Sequence, residues 1–498
     1  MSRINTNVNS LLSQRVLNNQ NKSLNTSLER LSTGLRINRG ADDPAGLIAS
    51  ENLRSEKASI AAAISNAERA DQVVNIAEGG LQEINALLLE MQSLVGESAN
   101  DAGLSREERE ANQLQVDSIL QTIDRIAQAT SFQGSKLLNG TYDFTVEDQN
   151  AGVEGFKINA AKLGHDDTRD VQVLVTQSAQ HAGLYMDMDG AALNLSSADD
   201  RFVLEVGGAM GSRQFTFASG TSLEAMATQM NTFKEVTGVS AVASGNGLIL
   251  KSTVMGSDQF VSVDIVDHGG QAGGIQNFEA NDANAVAAGS TAFDTVTNAI
   301  RDKGQDVGAI VNGIAATARG ENLRINTDFL DVEIQLSTEA AQSLDTIDAF
   351  TITGGGAKFN LGPNVDITNQ VSIGIGNVAA RNLGTLSSGF LDALGSSKDA
   401  NVVDGDLAKA QRIVDDAITQ ISGQRGRLGA FQKNIVGATI RSLGVALENT
   451  SAAESAIRDT DFASETAEMT RSQILQQAAT NVLSMANSQP QSVLQLLG

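Results

Sequence analysis

Three histidines are the only imidazoles in 498 residues, and cysteine is absent. His165, His181 and His268 stand in separate polar or glycine-rich surroundings, and none has a second ligand at helical spacing, as a zinc-binding HExxH helix requires. Asp187-Met188-Asp189-Gly190 carries part of a calcium-loop pattern, yet Tyr185 occupies the place of that loop's first carboxylate. Gly354-Gly355-Gly356 leads into further strand-like sequence and reads as a turn, not a phosphate cradle; GxGxxG, P-loop and GxSxG patterns are missing. Without cysteine there is no thiol nucleophile, disulfide or thiolate-bound metal. The sequence predicts no catalytic residue, no metal site and no cofactor.

The strong spacing signal is for packing. Leu407, Val414, Ile421, Leu428 and Ile435 recur every seven residues, with Ala410, Ala417, Phe431 and Ala438 three positions on. This is a coiled-coil seam on a helix of roughly 60 Å at about 1.5 Å per residue. So narrow a stripe needs partner helices. Ile60, Ile64, Val74, Leu81 and Leu88, continued by Ile84, Met91 and Val95, supply a matching stripe near the other end of the chain. The two stripes predict an intramolecular seam. Leu24, Leu28, Leu31 and Leu35 extend the pattern toward the start, after Ile4, Val8 and Leu11, and Leu475, Val482, Val493 and Leu496 extend it to the C-terminus. These outer stripes exceed what two helices can cover, which marks them as a self-association surface. An intramolecular four-helix bundle is the competing reading of the periodicity.

Helices are expected at about 5–33, 45–99, 105–129, 404–447 and 455–494. Asp43 before Pro44 starts one of them, and Ser105 with Glu108 forms a capping box for another. With prolines only at 44, 363 and 490, little else breaks a helix. From about 135 to 400 the period changes to short alternating runs: Asp170–Val175, Arg201–Val206, Arg213–Phe217, Gly247–Lys251 and Phe260–Ile265 read as strands, with a short helix over 222–236. Later runs at 323–325, 332–336, 349–353 and 371–375 continue the style, and Gly269–Gly274 is a candidate boundary. The fold class is therefore α+β and multidomain: a long antiparallel coiled-coil bundle made by the two terminal segments, carrying a β-rich central insertion.

Acidic residues outnumber basic ones by 59 to 35, a formal charge of −24. Residues 141–400 hold 32 of the acids against 14 bases. So acidic a centre suits a solvated outer face and excludes nucleic acid as partner. No run approaches 18 apolar residues, so no membrane span is expected, and the N-terminus lacks a cleavable signal pattern. The absence of cysteine suits passage through a channel in an unfolded state, and equally reflects the general rarity of that residue.

The ends carry longer motifs. Ile4-Asn5-Thr6-Asn7, the run Leu28-Glu29-Arg30-Leu31-Ser32-Thr33-Gly34-Leu35-Arg36-Ile37-Asn38, and Gly40 through Leu47 resemble the bacterial flagellin signature, as does Thr130 through Leu138. At the other end Leu428-Gly429-Ala430-Phe431-Gln432, Ser455 through Ala463, and Gln489 through Leu497 are similar to the same family. The centre, with a strand pair, a helix ending near Met230-Asn231 and three strands, looks like the insertion module of many flagellins, and 306–325 like a weaker second pass.

The resemblance implies an extracellular filament subunit for swimming motility. It implies export through the flagellar type III apparatus with a chaperone, contact with cap and hook-associated proteins, and homopolymerisation. The termini would line the inner tube and fold on polymerisation. The implied parts are an N-terminal inner-tube helix (1–44), helical-domain segments at 45–165 and 356–453, β-rich modules at 166–270 and 271–355, and a C-terminal inner-tube helix (454–498). It also implies a face recognised by animal flagellin receptors, here Leu89, Glu90 and Leu94, where Glu90 stands in the usual place of an arginine. A hook–filament junction protein, a flagellin with a protease insert and a surface adhesin are the alternatives.

Overall fold

The computed structural model describes residues 6–100, 103–164, 168–197, 199–278, 289–386 and 388–495, the side chains of 490–495 excepted. Its long helices are α1 (Val8–Thr33), α2 (Pro44–Ser98) and α3 (Arg106–Ala129) near the start. A short α4 (Leu223–Asn231) lies in the centre. Then come α5 (Leu407–Ala430), α6 (Gly437–Arg458) and α7 (Phe462–Gln495), with a π-helical turn, Phe431–Val436, joining α5 to α6. The chain divides into two compact units, one of Met1–Val74, Phe359–Asn369 and Gly429–Gly498, the other of Asn75–Lys358 and Gln370–Leu428.

In the first unit α1 and α7 run antiparallel. Gly34 ends α1 in the left-handed region (φ 74°), where its N–H reaches the Arg30 carbonyl. Glycine suits that position because a Cβ is disfavoured there. The Gly34 carbonyl accepts from the Thr460 N–H at 3.0 Å, just before α7 begins. Farther on, Lys57 meets Glu454 at 3.1 Å and Arg458 meets Glu51 at 2.9 Å, fixing α2 against α6, also antiparallel.

The second unit contains a helical part and a β-rich part. Leu81, Ile84, Leu88 and Met91 of α2 are buried, as are Val116 and Ile123 of α3 and Ile413, Val414 and Ile421 of α5. Gln92 donates to Asp415 at 2.6 Å and Arg425 pairs with Glu78 at 3.6 Å, so α2 and α5 run antiparallel here too. The Ser105 hydroxyl accepts from the Glu108 N–H while the Glu108 carboxylate accepts from the Ser105 N–H, the capping box that starts α3.

The β-rich part consists of one module nested in another. Its strands are β1 (Phe144–Glu147), β2 (Val153–Ala161), β3 (Arg169–Gln177), β4 (Gly183–Asp187), β5 (Arg201–Gly208), β6 (Ser212–Ala218), β7 (Val239–Ser244), β8 (Gly247–Ser252) and β9 (Phe260–Asp267). They continue as β10 (Gly274–Asn277), β11 (Thr291–Ala292), β12 (Ile300–Lys303), β13 (Gly308–Val311), β14 (Ile314–Ala315), β15 (Thr317–Arg319), β16 (Asn322–Asn326), β17 (Leu330–Leu336) and β18 (Thr346–Gly355). The outer module pairs them in the orders β14-β13-β3-β18-β1 and β15-β16-β17-β2, and the inner one in the orders β11-β10-β4-β8-β7 and β12-β9-β5-β6.

Alternation explains both cores. Val171, Val173 and Val175 point inward in the outer module; Phe202, Leu204 and Val206 of β5 do so in the inner one, beneath Met226 and Met230 of α4. Each module has its own core.

The nesting differs from the expected tandem of 166–270 and 271–355. Gly269–Gly274 lies inside the inner module, because β10 returns to pair with β4 in register Ile275 to Met186. The chain enters and leaves the inner module at one place, where Gln180 and Gln305 exchange backbone hydrogen bonds of 2.9 and 3.0 Å.

Candidate assembly interface

The α1–α7 contact is made by small side chains. Ser13 and Ser27 are the buried residues of α1, and Ser472, Ala479 and Ala486, seven apart, are buried on α7. Polar bonds fix the register: Asn7 to the Ala486 carbonyl (2.7 Å), Ser10 to Asn487 (2.7 Å), Gln476 to Asn21 (2.7 Å) and Arg30 to Glu465 (3.5 Å). Asn7 also caps α1, its side-chain oxygen accepting from the Ser10 N–H.

Leu17, Leu24 and Leu31 of α1 and Met469 and Leu483 of α7 are half-buried beside this contact, but many large apolar side chains are turned away from it. Val8, Leu11, Leu12, Val16 and Leu28 on α1, and Ile474, Leu475, Val482 and Met485 on α7, are exposed, Val8 by 63% and Met485 by 72%. Leu24, Leu31 and Leu35 are half-buried. Ile4 and Leu496 lie outside the described residues, as does the Val493 side chain. The C-terminal stripe read from the sequence includes Ala479 and Ala486 beside Leu475 and Val482, but not the buried serines Ser13, Ser27 and Ser472. Ser472 continues the seven-residue spacing of Ala479 and Ala486.

Along the expected seam, Ile60, Val74, Leu81, Leu88, Val414, Ile421 and Leu428 are buried, and Ile64 and Leu407 are half-buried. Ile435 is the exception, 40% exposed, while Val436 beside it is fully buried. The cause is the π turn. A π turn closes i to i+5 and so takes one residue more than an α turn, which moves the next inward position from 435 to 436.

Of the expected receptor face, Leu89 and Glu90 are exposed and Leu94 is buried, being turned to the core beside Met91 and Val95. His268 Nδ1 accepts from the Gly270 N–H in a turn. Asp187 likewise accepts from the Asp189 N–H. His165 is outside the described residues. No group of three or more potential metal ligands gathers among the described residues. None of the helices there is long and apolar enough to cross a membrane.

Residues 4–143 match the model for the bacterial flagellin N-terminal helical region, residues 411–497 that for the C-terminal helical region, and residues 202–254 the flagellin hook IN motif. B-type flagellin of Pseudomonas aeruginosa is 30% identical over 99% of both chains. The chain belongs to the bacterial flagellin family. Flagellin B of Vibrio anguillarum is 29% identical and flagellin B of Helicobacter pylori 27%, each again across 99% of both chains.

This flagellin is thus a subunit of the extracellular flagellar filament, a structural protein with helical ends and a β-rich centre. The hook–filament junction alternative fits the flagellin-named relatives less well. The family match places helical regions where α1 to α3 and α5 to α7 stand, so the outward side chains of α1 and α7 belong to this flagellin's most family-like parts.

Proposed function

We propose that the outward apolar side chains of α1 and α7 are the surface through which this flagellin polymerises, and that the chain acts without catalysis. The observation carrying this is that the fully buried residues of the α1–α7 contact are serines and alanines, while Val8, Leu11, Leu12, Val16, Leu28, Ile474, Leu475, Val482 and Met485 stay exposed. Apolar area returns about 25 cal/mol per Å² when removed from water, and here that gain is left to a second copy. A head-to-tail contact that does not close into a ring propagates as a helical filament.

The same reading explains why the ends need neighbours. A helix pair held mainly by Ser, Ala and amide contacts buries little area to offset its ordering entropy, so its folding is linked to assembly by mass action. Export in an unfolded state through the type III apparatus with a chaperone, capping by the cap protein and joining to hook-associated proteins follow from family membership. The acidic centre then faces the medium. Removing residues 455–498 tests the surface: polymerisation is lost while circular dichroism retains the β-rich signal. Normal filaments from that truncated chain contradict the assignment.

A further inference from the structure

A cavity of about 390 Å³ in the second unit lies where β2 and the segment before β1 meet α5. Its polar lining is unusual in being left over. Gln424 is only 7% exposed, and its Nε2 has no hydrogen-bond partner. A buried amide N–H without an acceptor loses its hydration with nothing to replace it. Arg427, one turn on along the same face of α5, and Lys157, across the cavity on β2, line it too. Among the described residues neither cation has a carboxylate within ion-pair distance.

Nearby acids offset these charges only in part: Glu333 and Asp143 act on both cations and Asp331 on Arg427, none within ion-pair distance. Glu333 stands opposite Lys157 in the β2–β17 ladder, but pairs with Arg324 at 3.5 Å. Asp331 also meets Arg324, at 3.8 Å, and accepts from the Asn159 side chain. Asp143 lines the cavity and accepts from the Phe144 N–H at 2.9 Å. Burial holds both cations below their ordinary pKa values, the charge of Arg427 adding to the effect on Lys157, and burial pushes the Asp143 carboxyl up.

We propose that this cavity is a binding site for a small organic oxyanion, a carboxylate or a phosphomonoester. The guanidinium of Arg427 offers a fork to two oxygens, Lys157 a point charge, and Gln424 the amide N–H that otherwise lacks an acceptor. Phe144, Phe156 and Leu383 form the apolar wall, so the ligand carries a small body behind its head group. The oxyanion comes either from a free metabolite-sized acid or from an Asp or Glu side chain of a second copy, of which the acidic centre has many.

Calorimetric titration of the monomeric full chain with inorganic phosphate and with benzoate tests the site. One-to-one binding of at least one probe is expected, weakened at least roughly tenfold, the loss expected for a hydrogen bond to a charged group, in Arg427→Gln and in Lys157→Gln. Gln424→Glu supplies the missing anion from the chain itself. That variant is expected to melt at a higher temperature than the parent and to bind neither probe, whereas a purely structural glutamine would give a lower melting temperature. Repeating the titration on filaments separates the sources: retained binding means a free acid, lost binding means that a neighbour's carboxylate fills the cavity. No binding to the monomer, or binding indifferent to Arg427→Gln, overturns the proposal. If Arg427→Gln does not fold, a lower melting temperature in Gln424→Glu with unchanged probe binding does the same.

Discussion

The side-chain amide of Asn7 donates to the main-chain carbonyl of Ala486 across 2.7 Å, joining positions 479 residues apart. The same side chain caps α1 through the Ser10 N–H. Asn7→Ala removes both bonds. Loss of an N-cap costs about 0.5–2 kcal/mol, so hydrogen exchange of the first turns of α1 should accelerate correspondingly, with the β-rich cores unaffected.

The π turn yields a paired prediction. Leu428→Ala opens a cavity at a buried site and is expected to cost about 2–5 kcal/mol. Ile435→Ala, on the exposed side of the turn, should cost about 1 kcal/mol or less, nearer the range of surface sites. Denaturant melts of the two variants give the difference directly. Equal losses would place Ile435 back in the core.

Gly423 and Gly426 lie inside α5, and a Cβ built on either meets nothing within 4 Å. Glycine in a helix interior is less favourable than alanine by about 0.5–1 kcal/mol. Gly426→Ala is therefore expected to stabilise the monomer by about that amount in a urea melt. A destabilised variant would mean that α5 needs the freedom of glycine in the monomer itself.

Excision of the inner module follows from the Gln180–Gln305 pair. Because the entering and leaving strands already exchange two hydrogen bonds, joining residue 181 to 304 through a short glycine link closes almost no extra loop. The shortened chain should keep the outer core and still form filaments, as microscopy would show. A folded deletion variant that fails to assemble would show that the inner module supplies essential contacts.

Glu90 is exposed beside Leu89, at the place where the family resemblance puts an arginine on the face that animal receptors recognise. A carboxylate cannot make a guanidinium's bidentate pair and meets like charge where that pair was accepted. Weak receptor activation is expected, improved by Glu90→Arg in a cell reporter assay at equal monomer concentration. Strong signalling from the parent chain would sink the idea. Leu94, buried in the monomer, offers this face little area.

Much of the helical architecture is legible in the sequence because its punctuation is local. Asp43 before Pro44 and Ser105 with Glu108 set helix starts within about one residue of those observed. The seam is readable as far as Leu428 because its side chains are large and evenly spaced. Beyond it a single extra residue in a π turn changes the phase, and Ile435 and Val436 are equally apolar, so composition cannot choose between them. The inner face of α1 and α7 is hidden for a different reason: Ser13, Ser27 and Ser472 are polar residues buried by close helix approach. The nested modules are obscured because Gly269–Gly274 has the composition of a boundary, while the pairing of β10 with β4 is set by contacts about 90 residues apart.

The anion cavity was not legible at all. Its residues come from positions 143, 157, 424 and 427, and what marks it is the unpartnered amide N–H of Gln424 between two cations without an ion pair.

The outward apolar side chains of α1 and α7 are the proposed polymerisation surface. Electron microscopy of the full chain beside Leu475→Ser with Val482→Ser measures this most directly, since both side chains are already exposed in the monomer and their replacement leaves its melting unchanged within about 0.5 kcal/mol. The parent should give long regular filaments and the double variant none at the same concentration. Filaments of normal length and yield from the double variant would contradict the assignment.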